Sequence, residues 1–356
     1  MYNLLNNILG NEYLATIIAV ALPLFIFILP YALYAVYGER KVSAFMQDRI
    51  GPNRAGYQGL LQSVADILKL IQKEDIIPNE ADKKLFNLAP VLVFAGSYAA
   101  FAAIPFSGAY IGADIDLGLF YILAISSVVV AGILMGGWAS NNKYSLLGAM
   151  RSAAQIISYE IPTALVVLTM VMVTGSLNLK TISELQTAYF WNWNILGGAF
   201  SGIEKFLLIP FMIVAFVIIY ISTLAEVNRV PFDIPEAESE LVSGFHTEYS
   251  GMKFAMFFLS EYANMFAVSA IVAALFFGGY QSPFGYLGNT IGISWFVPVE
   301  QLFWFTIKGL FFVFVQMWLR WTLPRLRVDQ LMTVCWKYMI PYAFANLIIV
   351  GLITLI

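Results

Sequence analysis

Charge is scarce in this chain: of 356 residues only 12% are Asp, Glu, Lys or Arg, while 60% are hydrophobic and the mean hydropathy is +0.78. An ordinary soluble domain carries about twice that share of charge, so a water-soluble globule is excluded. Cysteine and histidine are scarcer still, since Cys335 and His246 are each the only residue of their type. An intrachain disulfide, a four-cysteine iron–sulfur site, a Cys/His zinc site and a bis-histidine haem are all out of reach of this chain alone. There is no GxxxxGK[ST] and no GxGxxG to cradle a nucleotide phosphate. If electrons or nucleotides are involved, partners carry them, and no cofactor is expected on this chain itself.

What is abundant is apolar length and aromatic rings, with 29 Phe, 19 Tyr and 8 Trp. A helix needs about 20 apolar residues to cross the hydrocarbon core, and eight nearly charge-free stretches meet that need, at about 13–37, 86–107, 118–138, 153–175, 206–225, 253–277, 301–320 and 338–356. The fold expected is an all-α polytopic membrane protein, one integral domain over 1–356. Its large loops are 38–85 and 226–252. Lys and Arg set orientation: the odd-numbered loops hold 16 of them, eight in the first loop alone, and the even loops only Lys180 and Lys205. Odd loops are therefore expected in the cytoplasm and both termini outside. The first apolar stretch lacks a basic leader and a cleavage site, so it is read as a helix rather than a signal peptide.

Within the first loop, Leu60, Leu61, Val64, Ile67, Leu68 and Ile71 recur at helical spacing opposite Gln62, Asp66, Lys69 and Lys73. This predicts an amphipathic surface helix of roughly 17 residues lying on the membrane, either a lipid anchor or the wall of an opening for a lipophilic molecule. Before it, the stretch 38–54 combines Arg40, Lys41, Arg49 and Arg54 with Gly51 and Pro52 and predicts a fixed, non-helical basic loop. Lipid contact is the simple account of such a loop.

Ionisable residues inside spans are costly and usually functional. Glu160 lies nine residues past Arg151, about 13 Å into the fourth span, with Pro162 placed to kink the helix there. Glu226 closes the fifth span, Glu261 lies at a similar depth in the sixth, and Lys308 sits near the middle of the seventh. Three carboxylates at one depth on three spans can meet, and such a group can hold and release protons near neutral pH. Three separate structural hydrogen bonds are the alternative. The fifth loop adds Asp233, Glu236, Glu238, Glu240 and Glu248; Asp233 and Glu236 have capping-box spacing and predict a helix starting near Asp233, with Glu236 and Glu240 on one face. A solvated acidic loop competes with a proton path here.

Five stretches carry a resemblance. The segment GERKVSAFMQDRIGPNR at 38–54 is similar to the signature after the first helix in the H-subunit family of proton-pumping NADH-quinone oxidoreductase, respiratory complex I. The segment EVNRVPFDIPEAESE at 226–240, continuing to Tyr249, resembles the second family signature, and SYE at 158–160, LSEY at 259–262 and LRWTLPRLRVDQ at 319–330 also match. The resemblance implies an eight-helix membrane component at the heel of an L-shaped complex, whose first and fifth cytoplasmic loops dock on the peripheral-arm subunits that reduce quinone. It implies quinone as substrate, FMN and iron–sulfur clusters in partner subunits, and membrane-arm neighbours that include antiporter-like ones. Lipids are expected around it, no nucleic acid is, and the compartment implied is a bacterial plasma (inner) membrane. Arg40, Arg49, Arg54, Phe232 and Phe245 become candidates for the lining or docking rim of the quinone chamber. Glu160, Glu226, Glu236, Glu238, Glu240 and Glu261 become candidates for the proton path, with Lys308 a further one. A related membrane component of a membrane-bound hydrogenase and a stand-alone ion transporter are the competing readings; the latter would often show an internal repeat, and none is evident between the halves.

Overall fold

The computed structural model describes residues 14, 18, 21, 24–198, 200, 202–235, 238–288 and 292–355. Every regular element among them is helical. A π-helical turn, Leu24–Ile28, leads into α1 (Leu29–Met46), followed by α2 (Gln62–Gln72), α3 (Lys83–Ala99), α4 (Gly118–Ala139), α5 (Lys143–Thr174) and α6 (Leu179–Leu185). Then come α7 (Ile203–Glu226), α8 (Glu238–Leu241), α9 (Gly251–Phe276), α10 (Val297–Thr322) and α11 (Val328–Ile353), the last with a π-helical stretch at Val334–Met339. Seven helices among the described residues are long and apolar enough to cross a membrane. They are α3, α4, α5, α7, α9, α10 and α11. Within the expected first span, 13–37, residues 13, 15–17, 19, 20, 22 and 23 lie outside the described residues.

Polar residues punctuate the chain where the helices begin. The Asp82 carboxylate accepts from the backbone N–H groups of Lys84 and Leu85 at 3.0 and 3.4 Å and opens α3. Asn142 does the same for α5 through Tyr144 at 2.9 Å, and Asn178 opens α6. Each cap satisfies a donor that the first helical turn leaves free. Pro162 does not end α5, which runs through it for 32 residues.

Two departures from expectation concern the first loop. The helix α1 does not stop at Gly38 but continues through Glu39, Arg40 and Lys41 to Met46; a lone glycine costs a helix only about 1 kcal/mol, and the stronger breakers, Gly51 and Pro52, come later. The amphipathic helix is also shorter than expected, 11 residues rather than roughly 17. Its apolar face is nonetheless uncovered: Leu61, Val64, Leu68 and Ile71 are all exposed.

Loops of like parity meet. At one end of the bundle the backbone of Ile76 donates to the Ser250 hydroxyl at 3.1 Å, Asn142 to the Glu248 carboxylate at 2.6 Å, and the backbone of Leu326 to the Pro231 carbonyl at 3.1 Å. Loops one, three, five and seven are thereby joined. At the other end Lys180 pairs with Asp114 at 3.5 Å, the backbone of Phe190 donates to Pro283 at 3.2 Å, and that of Gly108 to Gln301 at 2.9 Å.

Loop five is pressed into the first of these ends. A Cβ added to Gly148 on α5 would lie 2.8 Å from the Gly244 backbone, so only glycine lets the loop approach this closely. Tyr249 stacks on Phe86 at 4.1 Å and Phe245 meets Phe257 edge-on at 5.4 Å, anchoring the loop's end in the core of α3, α4 and α5.

Candidate functional site

At the odd-loop end, four elements converge on one buried ionic cluster. Glu39 from α1 is 5% exposed and Arg229 from loop five 3% exposed. The Arg229 guanidinium donates to both Glu39 oxygens at 3.1 and 3.2 Å and reaches Glu261 on α9 at 2.9 Å. Tyr262 donates its hydroxyl to Glu39 at 2.5 Å while its ring lies 4.7 Å from the same guanidinium. Arg320 from α10 closes the set with a salt bridge to Glu39. Burial works against the charge on Arg229, but the carboxylates of Glu261 and Glu39 outweigh it and hold its pKa well above the ordinary value. With two carboxylates and two guanidiniums the cluster is balanced, and losing one partner of such a buried set typically costs about 3–5 kcal/mol.

A second pair of carboxylates lies beyond it. Glu226, at the end of α7, accepts from the Thr163 hydroxyl of α5 at 2.7 Å. Glu160, on the same helix as Thr163, accepts from Ser126 of α4 at 2.9 Å and is half-buried. The two acids are close enough to feel each other's charge. Gln155 locks this corner: its amide nitrogen donates to the carbonyls of Ala225 and Phe232, each at 2.8 Å, and to Asn228 at 3.1 Å, tying α5 to the end of α7 and to loop five.

Two cavities adjoin Glu226, and the smaller also reaches Glu261. The larger, about 90 Å³, is lined by apolar side chains together with Ser97, Ser126, Thr163, Thr223, Glu226 and Asn264. The smaller, about 50 Å³, is lined by Glu226, Asn228, His246, Ser260, Glu261 and Asn264 among others. Glu226 and Asn264 belong to both. A water's share of volume is about 30 Å³, so each space accommodates at least one.

The remaining candidates are placed as follows. In loop five, Asp233 pairs with Arg325 at 3.0 Å, and Glu240 pairs with Arg151 at 2.7 Å, whose hydrogen bond and charge hold the Glu240 carboxyl below its usual range. Glu236 and the side chain of Glu238 lie outside the described residues. Of the helix expected from Asp233, the described part is Glu238–Leu241; residues 236 and 237 lie outside the described residues. Phe232 and Phe245 are buried, the first against the Tyr159 ring at 5.4 Å. Arg40 is exposed and paired with Asp66 at 2.6 Å, joining α1 to α2; Arg49 bonds Gln47 at 2.6 Å; Arg54 is exposed. Lys308 stands apart from the carboxylates. Its ammonium donates to the carbonyls of Phe277, Gly279 and Gln281 at 2.6, 3.0 and 2.6 Å and lies 4.2 Å from the Trp193 ring, at the even-loop end.

Glu39, Arg229, Tyr262, Arg320 and Gln155 were not singled out by sequence reasoning, which weighed the carboxylates and the lysine lying within or closing an apolar span. The usable signal was balance: an acidic residue beside Tyr262 in a span needs a cation, and Arg229 and Arg320 are the arginines nearest two span ends.

Comparison with known proteins agrees with this architecture. A family model described as NADH dehydrogenase matches residues 18–351. The H subunit of NADH-quinone oxidoreductase from Chlorobium luteolum is 52% identical over 348 residues, covering 95% of this chain and 89% of its own length. The proteins of the same name from Geobacillus sp. and Rickettsia prowazekii are 46% identical over 354 residues and 47% over 343, with 99% and 96% of this chain covered and 98% and 95% of theirs. The chain belongs to the H-subunit family of NADH-quinone oxidoreductase and is an integral membrane component of that enzyme complex.

Proposed function

We propose that this protein forms part of a quinone chamber at its odd-loop end and passes the consequence of quinone reduction into the membrane as changes of protonation along its buried carboxylates. The odd loops face the cytoplasm and both termini face outward. Electrons come from a partner subunit's iron–sulfur cluster, fed by a flavin in another, and the reduced quinone demands protons. The exposed apolar face of α2 and the basic side chains of Arg40, Arg49 and Arg54 stand at the entrance and at the docking rim of the peripheral arm. Phe232 and Phe245 act from within the core, holding loop five rather than touching solvent.

The observation that carries this reading is a stepwise series of carboxylates. Glu39 and Glu261 share Arg229, Glu261 and Glu226 line one cavity, and Glu226 senses Glu160. Glu160 ends the series half-exposed between α4 and α5, where an isolated carboxyl facing hydrocarbon would be costly; an adjoining membrane subunit continues the route toward the antiporter-like ones. Glu236, Glu238 and Glu240 form the loop-side approach.

Glu226→Gln and Glu261→Gln should leave the complex assembled and lower quinone reductase activity at least tenfold, measured on membranes with normal content of all subunits. Full activity in both variants would remove these residues from the mechanism.

A further inference from the structure

The two cavities beside Glu226 share one other polar side chain, Asn264. It lies three residues after Glu261 on α9, so the two side chains project from the same face of the helix. The other uncharged hydroxyl and amide side chains lining the cavities are committed to protein partners: Ser97 to the Val93 carbonyl, Ser126 to Glu160, Thr163 to Glu226, Thr223 to the Tyr220 carbonyl, Ser260 to the Phe257 carbonyl, and Asn228 to Ser152 and Gln155. The Asn264 amide makes no hydrogen bond to a protein group among the described residues. It is partly accessible within the bundle.

An amide taken out of water without a partner costs roughly 1–3 kcal/mol, and that cost disappears when a water molecule bonds it. Both cavities have the volume and the polar lining to hold one. We infer that Asn264 holds the water connection between Glu261 and Glu226, with its amide oxygen accepting and its amide nitrogen donating to waters in the two cavities. This deepens the carboxylate reading and rests on it. An amide does not titrate near neutral pH, so Asn264 does not itself carry the proton. It is a positioning residue, and the proton passes through the waters it orients.

The alternative is that Asn264 merely fills space, and shape-matched substitutions separate the two. Thr and Val differ at this site by one hydroxyl. In the whole complex reconstituted into liposomes, Asn264→Thr should keep NADH-driven quinone reduction and proton uptake within about threefold of wild type. Asn264→Val should lose tenfold or more and show a larger solvent deuterium isotope effect, a readout that a packing defect does not move. Asn264→Ser against Asn264→Ala gives the same comparison with smaller side chains, should the β-branched pair disturb assembly. Equal turnover and equal isotope effects within the pairs would overturn the inference. Glu226→Gln and Glu261→Gln, measured in parallel, separate the two levels: their full activity would sink the carboxylate reading, whereas their loss beside equal Thr and Val variants would sink only the role of Asn264.

Discussion

His246 is partly buried in the wall of the smaller cavity, its ring wedged against Phe245 at 4.9 Å and Phe254 at 5.3 Å with Nδ1 lacking a hydrogen-bond partner. Burial pushes its pKa down to about 4 from the ordinary 6.5. Between those values the unfolded chain binds the proton that the folded one refuses, so stability rises with pH across this window. The contribution is fully present above pH 6.5 and is lost as pH falls toward 4, by on the order of 3 kcal/mol at about 1.4 kcal/mol per unit. His246→Gln should therefore narrow the gap between thermal midpoints of the solubilised complex at pH 5 and pH 7.5. An unchanged gap would mean that the imidazole is hydrated in the folded protein. At this scale the sequence was only partly legible. Glu160, Glu226 and Glu261 stood out because a charge inside an apolar run is visible in one dimension. Glu39 did not, because it sits in a run of charged residues at a span end and acquires meaning only when α1 continues past Gly38 and brings it to Arg229 and Arg320.

Helix α10 shows how one element organises both ends of the bundle. Its residues at four-residue spacing read Lys308, Phe312, Gln316 and Arg320, and twelve residues span about 18 Å. Arg320 joins the ionic cluster, Gln316 bonds Ser269 of α9 at 3.1 Å, Phe312 packs with Phe216 and Phe277, and Lys308 fastens the end of α9 to the loop that follows. All three ammonium donors of Lys308 are engaged by carbonyls, which describes a clamp more than a proton carrier. Lys308→Met should lower the thermal midpoint of the complex, because three carbonyls lose a charged donor, while quinone reduction by the assembled enzyme stays within about twofold. A large loss of turnover at normal assembly would return Lys308 to the proton route. The existence of the spans was legible from charge-free length, whereas the ends of α1 and α2 were not. Helix boundaries depend on what the last turn can bond to, and for α1 that is a buried cluster assembled from residues nearly 300 positions apart.

Across the whole molecule the odd-loop end is where charge is concentrated and paired, and loop five is the part that touches everything there. Its two flanks are fixed firmly, by Arg229 in the buried cluster and by Phe245 and Tyr249 in the apolar core. Its middle is held by two ion pairs, Asp233 to Arg325, with Asp233 buried, and Glu240 to Arg151, with Glu240 well exposed. Water screens the exposed Glu240–Arg151 pair, so the Glu240 side of the loop can exchange partners at little cost while the flanks and the buried Asp233 stay put. Protonation of a carboxylate there, or a quinone beside it, has enough energy to shift such a balance. Amide hydrogen exchange over 230–249 should therefore differ between quinone-bound and quinone-free complex, with the change centred between Asp233 and Glu240 and with little change along α9. Identical exchange in the two states, at a quinone concentration that saturates turnover, would make loop five a static wall and leave the coupling to Glu39, Glu261, Glu226 and Glu160 alone.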